Sequence, residues 1–231
     1  MGLQENFKEI TEKIREAELA AGREPGSVRL IAVSKTKPVE MLEEAWSIGQ
    51  RVFGENHVQE IVEKKTAHPE YEFHMIGHLQ RNKVKSVIGR VSLIHSVDSV
   101  RLAEEISKES VKAGTVTDIL LEVNAGGEES KYGFTPEETK EKALEIAMLP
   151  GVHIKGLMTV APNLPDPEDV RPVFRKIAQI AVDIRKENND NIDMYELSMG
   201  MTHDFRVAIE EGATMVRIGT ALFGARAYPK E

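Results

Sequence analysis

The sequence predicts an α/β protein: a single (β/α)8 TIM-type barrel with one extra helix at its N-terminus. Three observations lead there. Short runs of small and β-branched apolar residues alternate with segments of helical periodicity along the whole chain. Such alternation implies right-handed βαβ units and a parallel sheet. The alternation runs through eight strand candidates, and eight units of about 25 to 30 residues suit closure into a barrel. The turn after the first strand, Thr36-Lys37-Pro38, lacks the glycine-rich fingerprint that an open doubly wound sheet would usually carry there.

The opening helix is read from Phe7, Ile10, Ile14, Ala17 and Ala21, an apolar stripe across Leu3–Ala21 that Gly22 and Pro25-Gly26 end. Strands are expected at Arg29–Lys35, Arg51–Asn56, Glu72–Gly77, Leu93–Val97, Thr117–Asn124, His153–Val160, Tyr195–Gly200 and Met215–Gly219. Helices are expected at Val39–Ile48, His57–Lys65, Arg81–Ile88, Ser99–Ala113, Pro136–Met148, Asp169–Glu187 and Thr202–Glu211. Two helix starts carry local signals. Thr135-Pro136-Glu137-Glu138 offers a capping hydroxyl, a proline at the first helical position and acidic residues in the first turn. Asp98-Ser99 stands before the fourth barrel helix. No linker rich in proline or glycine divides the chain, so residues 1–231 are read as one domain.

Composition narrows the function classes. The chain has 231 residues, 41% hydrophobic and 29% charged, enough for a sizeable core without staples. It contains no cysteine, which removes disulfides, thiolate metal sites and cysteine catalysis. The net charge of −8 argues against general nucleic-acid binding. Met1 to Arg23 is charged throughout, unlike a signal peptide, and no window approaches a membrane span. A cytoplasmic protein is expected.

In a barrel, function sits at the carboxyl ends of the strands. There the first strand, Leu30-Ile31-Ala32-Val33, delivers Lys35. An amine in such a place is a candidate for carbonyl chemistry; the alternative is a lysine that snorkels to the rim. The last two strand ends pair glycine with hydroxyls: Ser198 and Gly200 with Thr202, then Gly219 with Thr220. Glycine lets backbone N–H groups approach an anion, and barrels often bind phosphate with these two loops. The alternative is turn glycines and helix caps without a ligand. A phosphate anchor facing a lysine that forms a Schiff base is the layout of a pyridoxal-phosphate site, where cations such as Arg217 would lower the lysine pKa.

Several stretches resemble the pyridoxal phosphate homeostasis protein family: Val33-Ser34-Lys35-Thr36-Lys37-Pro38, Phe53-Gly54-Glu55-Asn56-His57-Val58-Gln59-Glu60 and Phe73 through Lys83. Gly156-Leu157-Met158-Thr159, Leu197-Ser198-Met199-Gly200-Met201 and Val216-Arg217-Ile218-Gly219-Thr220 continue the resemblance. It covers nearly the whole chain in order. His57 departs from the pattern, where tyrosine is expected. The resemblance implies a barrel like the N-terminal domain of alanine racemase, with pyridoxal 5'-phosphate as cofactor on Lys35. It further implies Ser198, Gly200, Gly219 and Thr220 at the phosphate, backbone contacts from Met199, Arg217 facing the pyridine nitrogen and Asn56 near the ring.

Robust turnover is not expected. An arginine at the pyridine nitrogen stays protonated and leaves that nitrogen neutral, a weaker electron sink than a pyridinium. None of Tyr71, Tyr132, Tyr195 and Tyr228 sits at a clear strand end to act as a base, and only Ile218 to Glu231 follow Arg217. The expected role is an intracellular carrier or regulator of pyridoxal phosphate, not an enzyme, possessing no catalytic residues, acting as a monomer and supplying pyridoxal-phosphate-dependent apo-enzymes. A small amino-acid racemase is the enzymatic alternative, and a cofactor-free lysine aldolase a third reading. His74 and His78 are too few for a metal site, and no metal is expected. The loop 126–134 is read as a lid, with a plain solvated loop as the alternative; as a lid it would bring Lys131 as a second amine for transient cofactor capture. Lys83 and Lys85 are read as solvated charges on a helix.

Overall fold

The computed structural model describes residues 2–127 and 132–224. Eight parallel strands close into a barrel in strict chain order. They are β1 (Arg29–Val33), β2 (Val52–Glu55), β3 (Glu72–Met75), β4 (Leu93–Val97), β5 (Thr117–Glu122), β6 (Val152–Met158), β7 (Ile192–Ser198) and β8 (Met215–Ile218). Helices α1 (Leu3–Ala20), α2 (Val39–Ser47), α3 (Val58–Ala67), α4 (Val100–Ala113), α5 (Thr139–Ile146), α6 (Arg171–Arg185), α7 (Phe205–Glu210) and α8 (Thr220–Phe223) wrap it.

The barrel closes between β1 and β8, where Ile31 stands opposite Arg217 and Ala32 opposite Ile218. On the other side of β1, Val33 pairs with Gly54 of β2. This register brings the ends of β1, β2 and β8 together. Strand residues alternate between the two faces. One set packs with the helices in the main core. The other forms a separate small cluster, Ile31, Val52, Leu93, Leu120, Met158 and Met215, along the barrel axis.

The extra helix is anchored by polar contacts as well as by its apolar stripe. Glu18, buried at the end of α1, accepts from the backbone N–H of Gly26 and Val28 at 2.9 and 2.6 Å, which fixes the approach to β1. Arg23 donates to the carbonyls of Ile209 and Ala213 at 3.1 and 2.7 Å, and Asn6 to that of Leu222 at 3.0 Å. These bonds tie α1 to α7, α8 and the last strand.

The structure departs from the sequence pattern in several places, among them the start of α7 at Phe205 instead of the expected Thr202. After β3 the chain forms a 3-10 helix, Arg81–Ser86, instead of an α-helix. α5 starts at Thr139, although Thr135 and Glu138 do make the reciprocal capping bonds at 3.3 and 3.1 Å. A 3-10 turn, Pro167–Val170, precedes α6. β7 starts at Ile192, before the expected Tyr195, because its alternation is broken by a bulge. Between the pairs Ile154–Ile192 and Gly156–Glu196 the register slips, and Met194 takes φ 58°.

Candidate functional site

β1 ends at Val33, and the chain then turns sharply. The Lys37 N–H donates to the Ser34 carbonyl at 3.0 Å. Thr36 sits in the left-handed region at φ 62°, a conformation that costs a β-branched residue about 1 to 3 kcal/mol. Lys35 lies between these two constraints. The turn is held from below: Glu60 accepts from the Thr36 N–H at 2.7 Å, and the buried Lys64 amine donates to the Ser34 carbonyl at 2.9 Å. Lys37 donates to the carbonyls of Phe223 and Gly224, both at 3.2 Å, which joins the turn to α8.

A cavity of about 330 Å³ opens at the carboxyl end of the barrel. Lys35, Asn56 and Arg217 supply its nitrogen-bearing side chains, Thr202, Thr220 and Gly219 one polar wall, and Val33, Ile76, Val160 and Met201 the apolar surface. Asn56 reaches this position because Gly77 packs against it; a Cβ on Gly77 would lie 2.6 Å from the Asn56 carbonyl oxygen. Gly219 likewise packs on β1, where a Cβ would lie 3.1 Å from the Val33 carbonyl oxygen. A larger hollow of about 420 Å³ beside Met148 and Asn189 lies by the start of β7 and is lined by no lysine or arginine.

Arg217 is almost wholly buried. Nη1 donates to the Ser198 carbonyl at 2.7 Å and to its hydroxyl at 2.6 Å, and Nη2 to the Thr159 carbonyl at 2.8 Å. Burial lowers its pKa to about 10, opposed by the charges of Glu122 and Asp204, so the guanidinium is cationic at neutral pH. Burial pushes Glu122, at the end of β5, up to about 7, with Asp98 adding to the rise and Arg217 opposing it. The loop after β7 turns at Gly200, φ 95°, and Asp204 holds it by accepting from the Met201 N–H at 2.6 Å.

Of the residues expected at the site, Lys35, Asn56, Arg217, Gly219 and Thr220 line the cavity. Ser198, Met199 and Gly200 stand behind it. The Ser198 hydroxyl is engaged by Arg217 and by His95, the Met199 side chain is fully buried, and the Gly200 carbonyl accepts from the Arg217 N–H at 3.0 Å. Of that loop, Thr202, read from the sequence with Ser198 and Gly200, does reach the cavity together with Met201, since the turn at Gly200 carries the chain outward.

A scan of family models matches residues 5–227 to the alanine racemase N-terminal domain. A pyridoxal phosphate homeostasis protein of Aquifex aeolicus is 48% identical over 226 residues, 97% of this chain and 98% of the relative. The chain belongs to the pyridoxal phosphate homeostasis protein family. Among solved structures, an unknown protein from Bifidobacterium adolescentis is 37% identical with a TM-score of 0.91, over 96% of this chain and 94% of the other. The structure of PipY from Synechococcus elongatus with PLP bound is 34% identical with a TM-score of 0.79, over 91% and 100%.

The stretches that carry the family resemblance surround the cavity and its rim. His57, at the start of α3, is exposed and lines an adjacent polar hollow with Gln59, His78 and Lys83 instead of the cavity itself. His78 pairs with Asp98 at 3.0 Å and stacks on Tyr132 at 3.9 Å, while His74 turns into the barrel toward His95. The expected lid spans the bounds of the description: Gly127 and Tyr132 are described, and Lys131 lies outside the described residues.

Proposed function

We propose that this chain binds pyridoxal 5'-phosphate as a Schiff base on Lys35 and holds it as an intracellular carrier or regulator, without robust catalysis. The observation that carries the reading is the convergence of Lys35 and Arg217 on one cavity with Thr202, Gly219 and Thr220. The donor set fits the group: an amine for the aldehyde, hydroxyls and a glycine backbone for a phosphate, a cation for the ring edge and aliphatic surface for the ring faces. The volume is near the lower end of the range for small-molecule sites, about 300 to 1,000 Å³, which suits one small cofactor. PipY, whose structure has PLP bound, supports the same reading.

When bound, the cofactor supplies an aldehyde that condenses with an amine, releasing water. Lys35 supplies that amine from a turn fixed by Ser34, Glu60 and Lys64. Thr202 and Thr220 donate hydroxyl hydrogens to an anion, and Arg217 orients the ring without surrendering its proton. A fixed cation there keeps the ring nitrogen unprotonated, which suits storage better than carbanion chemistry. The chain acts as a monomer at a site from which apo-enzymes draw the cofactor.

The test is the visible spectrum of the purified protein with added cofactor, followed by borohydride reduction and mass spectrometry. A Schiff-base band and a label on Lys35, both absent in Lys35→Ala, are expected. A protein that shows neither would favour a cofactor-free lysine aldolase. Incubation of the loaded protein with single L-amino acids, read by chiral chromatography, should show no sustained conversion. Steady racemisation would overturn the carrier role.

A further inference from the structure

The barrel interior holds a chain of polar side chains that the cofactor reading does not use. It starts at Glu72, at the beginning of β3, and ends at Arg217. Glu72 Oε1 lies 3.0 Å from His74 Nε2, and His74 Nδ1 lies 2.9 Å from His95 Nε2. His95 Nδ1 lies 2.8 Å from the Ser198 hydroxyl, which lies 2.6 Å from Arg217 Nη1. His74, His95 and Ser198 have at most 1% exposure, so bulk solvent does not reach them.

The proton positions follow from what each group is able to do. A guanidinium only donates, so the Ser198 oxygen accepts from Arg217. The serine has one hydrogen left, and among the described residues His95 Nδ1 is its acceptor. His95 is then neutral with its hydrogen on Nε2, which donates to His74 Nδ1. His74 in turn carries its hydrogen on Nε2 and donates to Glu72, which also accepts from the Ser92 hydroxyl at 2.9 Å. Every bond points from the cation toward the carboxylate. Reversing His95 would leave the serine hydrogen without a protein acceptor in a buried place, where an unmade hydrogen bond is costly. Burial independently lowers the pKa of both histidines and so favours their neutral forms.

We propose that His95 is a positioning residue for Arg217, acting through Ser198 as part of a one-directional relay Arg217–Ser198–His95–His74–Glu72. Arg217 is held on three sides by two carbonyls and this hydroxyl. The carbonyls fix its place, and the relay fixes the roll of its plane, hence the N–H edge it presents to the cavity. The effect of this roll on the cofactor rests on the pyridoxal-phosphate reading; the polarity of the relay does not. Ser198 thereby serves the cationic wall of the site from behind.

Two measurements test this. In the cofactor-free protein with 15N-labelled histidine, two-bond 1H–15N spectra at neutral pH should show both His74 and His95 as neutral Nε2–H tautomers. Ser198→Ala should shift the Nδ1 resonance of His95 toward the value of an unbonded ring nitrogen. An Nδ1–H tautomer or an imidazolium at His95, or an Nδ1 signal unmoved by Ser198→Ala, overturns the relay. The second measurement titrates pyridoxal 5'-phosphate into Ser198→Ala, Ser198→Thr and His95→Gln variants whose circular dichroism matches the parent. Ser198→Ala and His95→Gln should bind about tenfold more weakly and shift the absorption maximum of bound cofactor, and Ser198→Thr should restore both. Parent-like binding and spectra in all three overturn the positioning role. A parent protein that takes up no cofactor would refute the proposed function, while the tautomer spectra would still decide the relay.

Discussion

Lys64 Nζ stands 2.8 Å from Glu55 Oε1, with 5% and 0% of the two side chains exposed. The same Glu55 oxygen accepts from the Ser34 hydroxyl at 2.6 Å, and the same amine reaches the Ser34 carbonyl and Glu60. A buried ion pair thus clamps both the side chain and the backbone of the residue before Lys35. Glu60 carries the clamp onward to the Thr36 N–H. The strained left-handed Thr36 persists because these bonds over-determine the turn around it.

Removing one partner of this pair should be far worse than removing both. Lys64→Ala leaves Glu55 buried beside no cation, and burial already pushes that carboxyl upward. Breaking a buried pair costs about 3 to 5 kcal/mol. Chemical denaturation should show a loss of that order for Lys64→Ala, largely recovered in the double variant Lys64→Met with Glu55→Gln. An equal loss in both would mean that packing, not charge, dominates here.

The β6–β7 bulge makes a second, sterically simple expectation. A Cβ on Gly156 would lie 1.8 Å from the Glu196 carbonyl oxygen. The obstacle is strand backbone, which cannot swing aside as a side chain can. Gly156→Ala should therefore separate β6 from β7 and cost at least about 2 kcal/mol, at the upper part of the range for overpacking. Thermal unfolding measures it, with Gly89→Ala as the comparison: Gly89 has φ 73° but no atom within 4 Å of its Cβ position. A Gly156→Ala protein no less stable than Gly89→Ala would contradict the steric account.

The barrel was legible because short strands, some continuous apolar runs such as Leu30–Val33 and others alternating as in β6, recur between helical segments along the whole chain. Lys35, Arg217, Gly219 and Thr220 were legible because position at a strand end places a residue at the mouth. Ser198 was not, because one strand end points alternate residues inward and outward, and the bulge in β7 changes which is which. Its hydroxyl faces Arg217 and His95 instead of the cavity. His95 itself carried a signal, a polar pair His95-Ser96 inside an otherwise apolar strand, yet its partner Ser198 lies 103 residues away. Only closure of the barrel brings them together. The 3-10 helix Arg81–Ser86 escaped a periodicity argument because basic residues leave Val84 as its one buried position.

Thr202, two residues past Gly200, provides a direct check on the polar wall. Its hydroxyl lines the cavity, and a hydrogen bond to a charged ligand contributes about 1.5 to 3 kcal/mol. Thr202→Val keeps the shape and removes the donor. Pyridoxal 5'-phosphate should bind at least about tenfold more weakly, while pyridoxal without the phosphate should bind the parent and the variant alike. Equal weakening for both compounds would place Thr202 at the ring instead of the phosphate.

Glu122 sets a pH dependence whose sign can be worked out. Its carboxyl titrates at about 7 in the folded chain, against an ordinary 4.5, chiefly because burial disfavours the anion. The folded state therefore holds a proton that the unfolded chain releases between these values. The stability this contributes is fully present below about 4.5 and is lost as pH rises through about 7. The anion that forms lies near Asp98, which opposes it, and near Arg217, which favours it. Glu122→Gln imitates the protonated form at every pH. Urea denaturation should find the variant close to the parent at pH about 4.5 and progressively more stable than it up to pH about 8. His74 and His95, whose lowered pKa values withdraw stability as pH falls below the ordinary 6.5, are present in both proteins and cancel from the difference. A constant difference across this range would mean that Glu122 is ionised throughout and that Arg217, not burial, governs it.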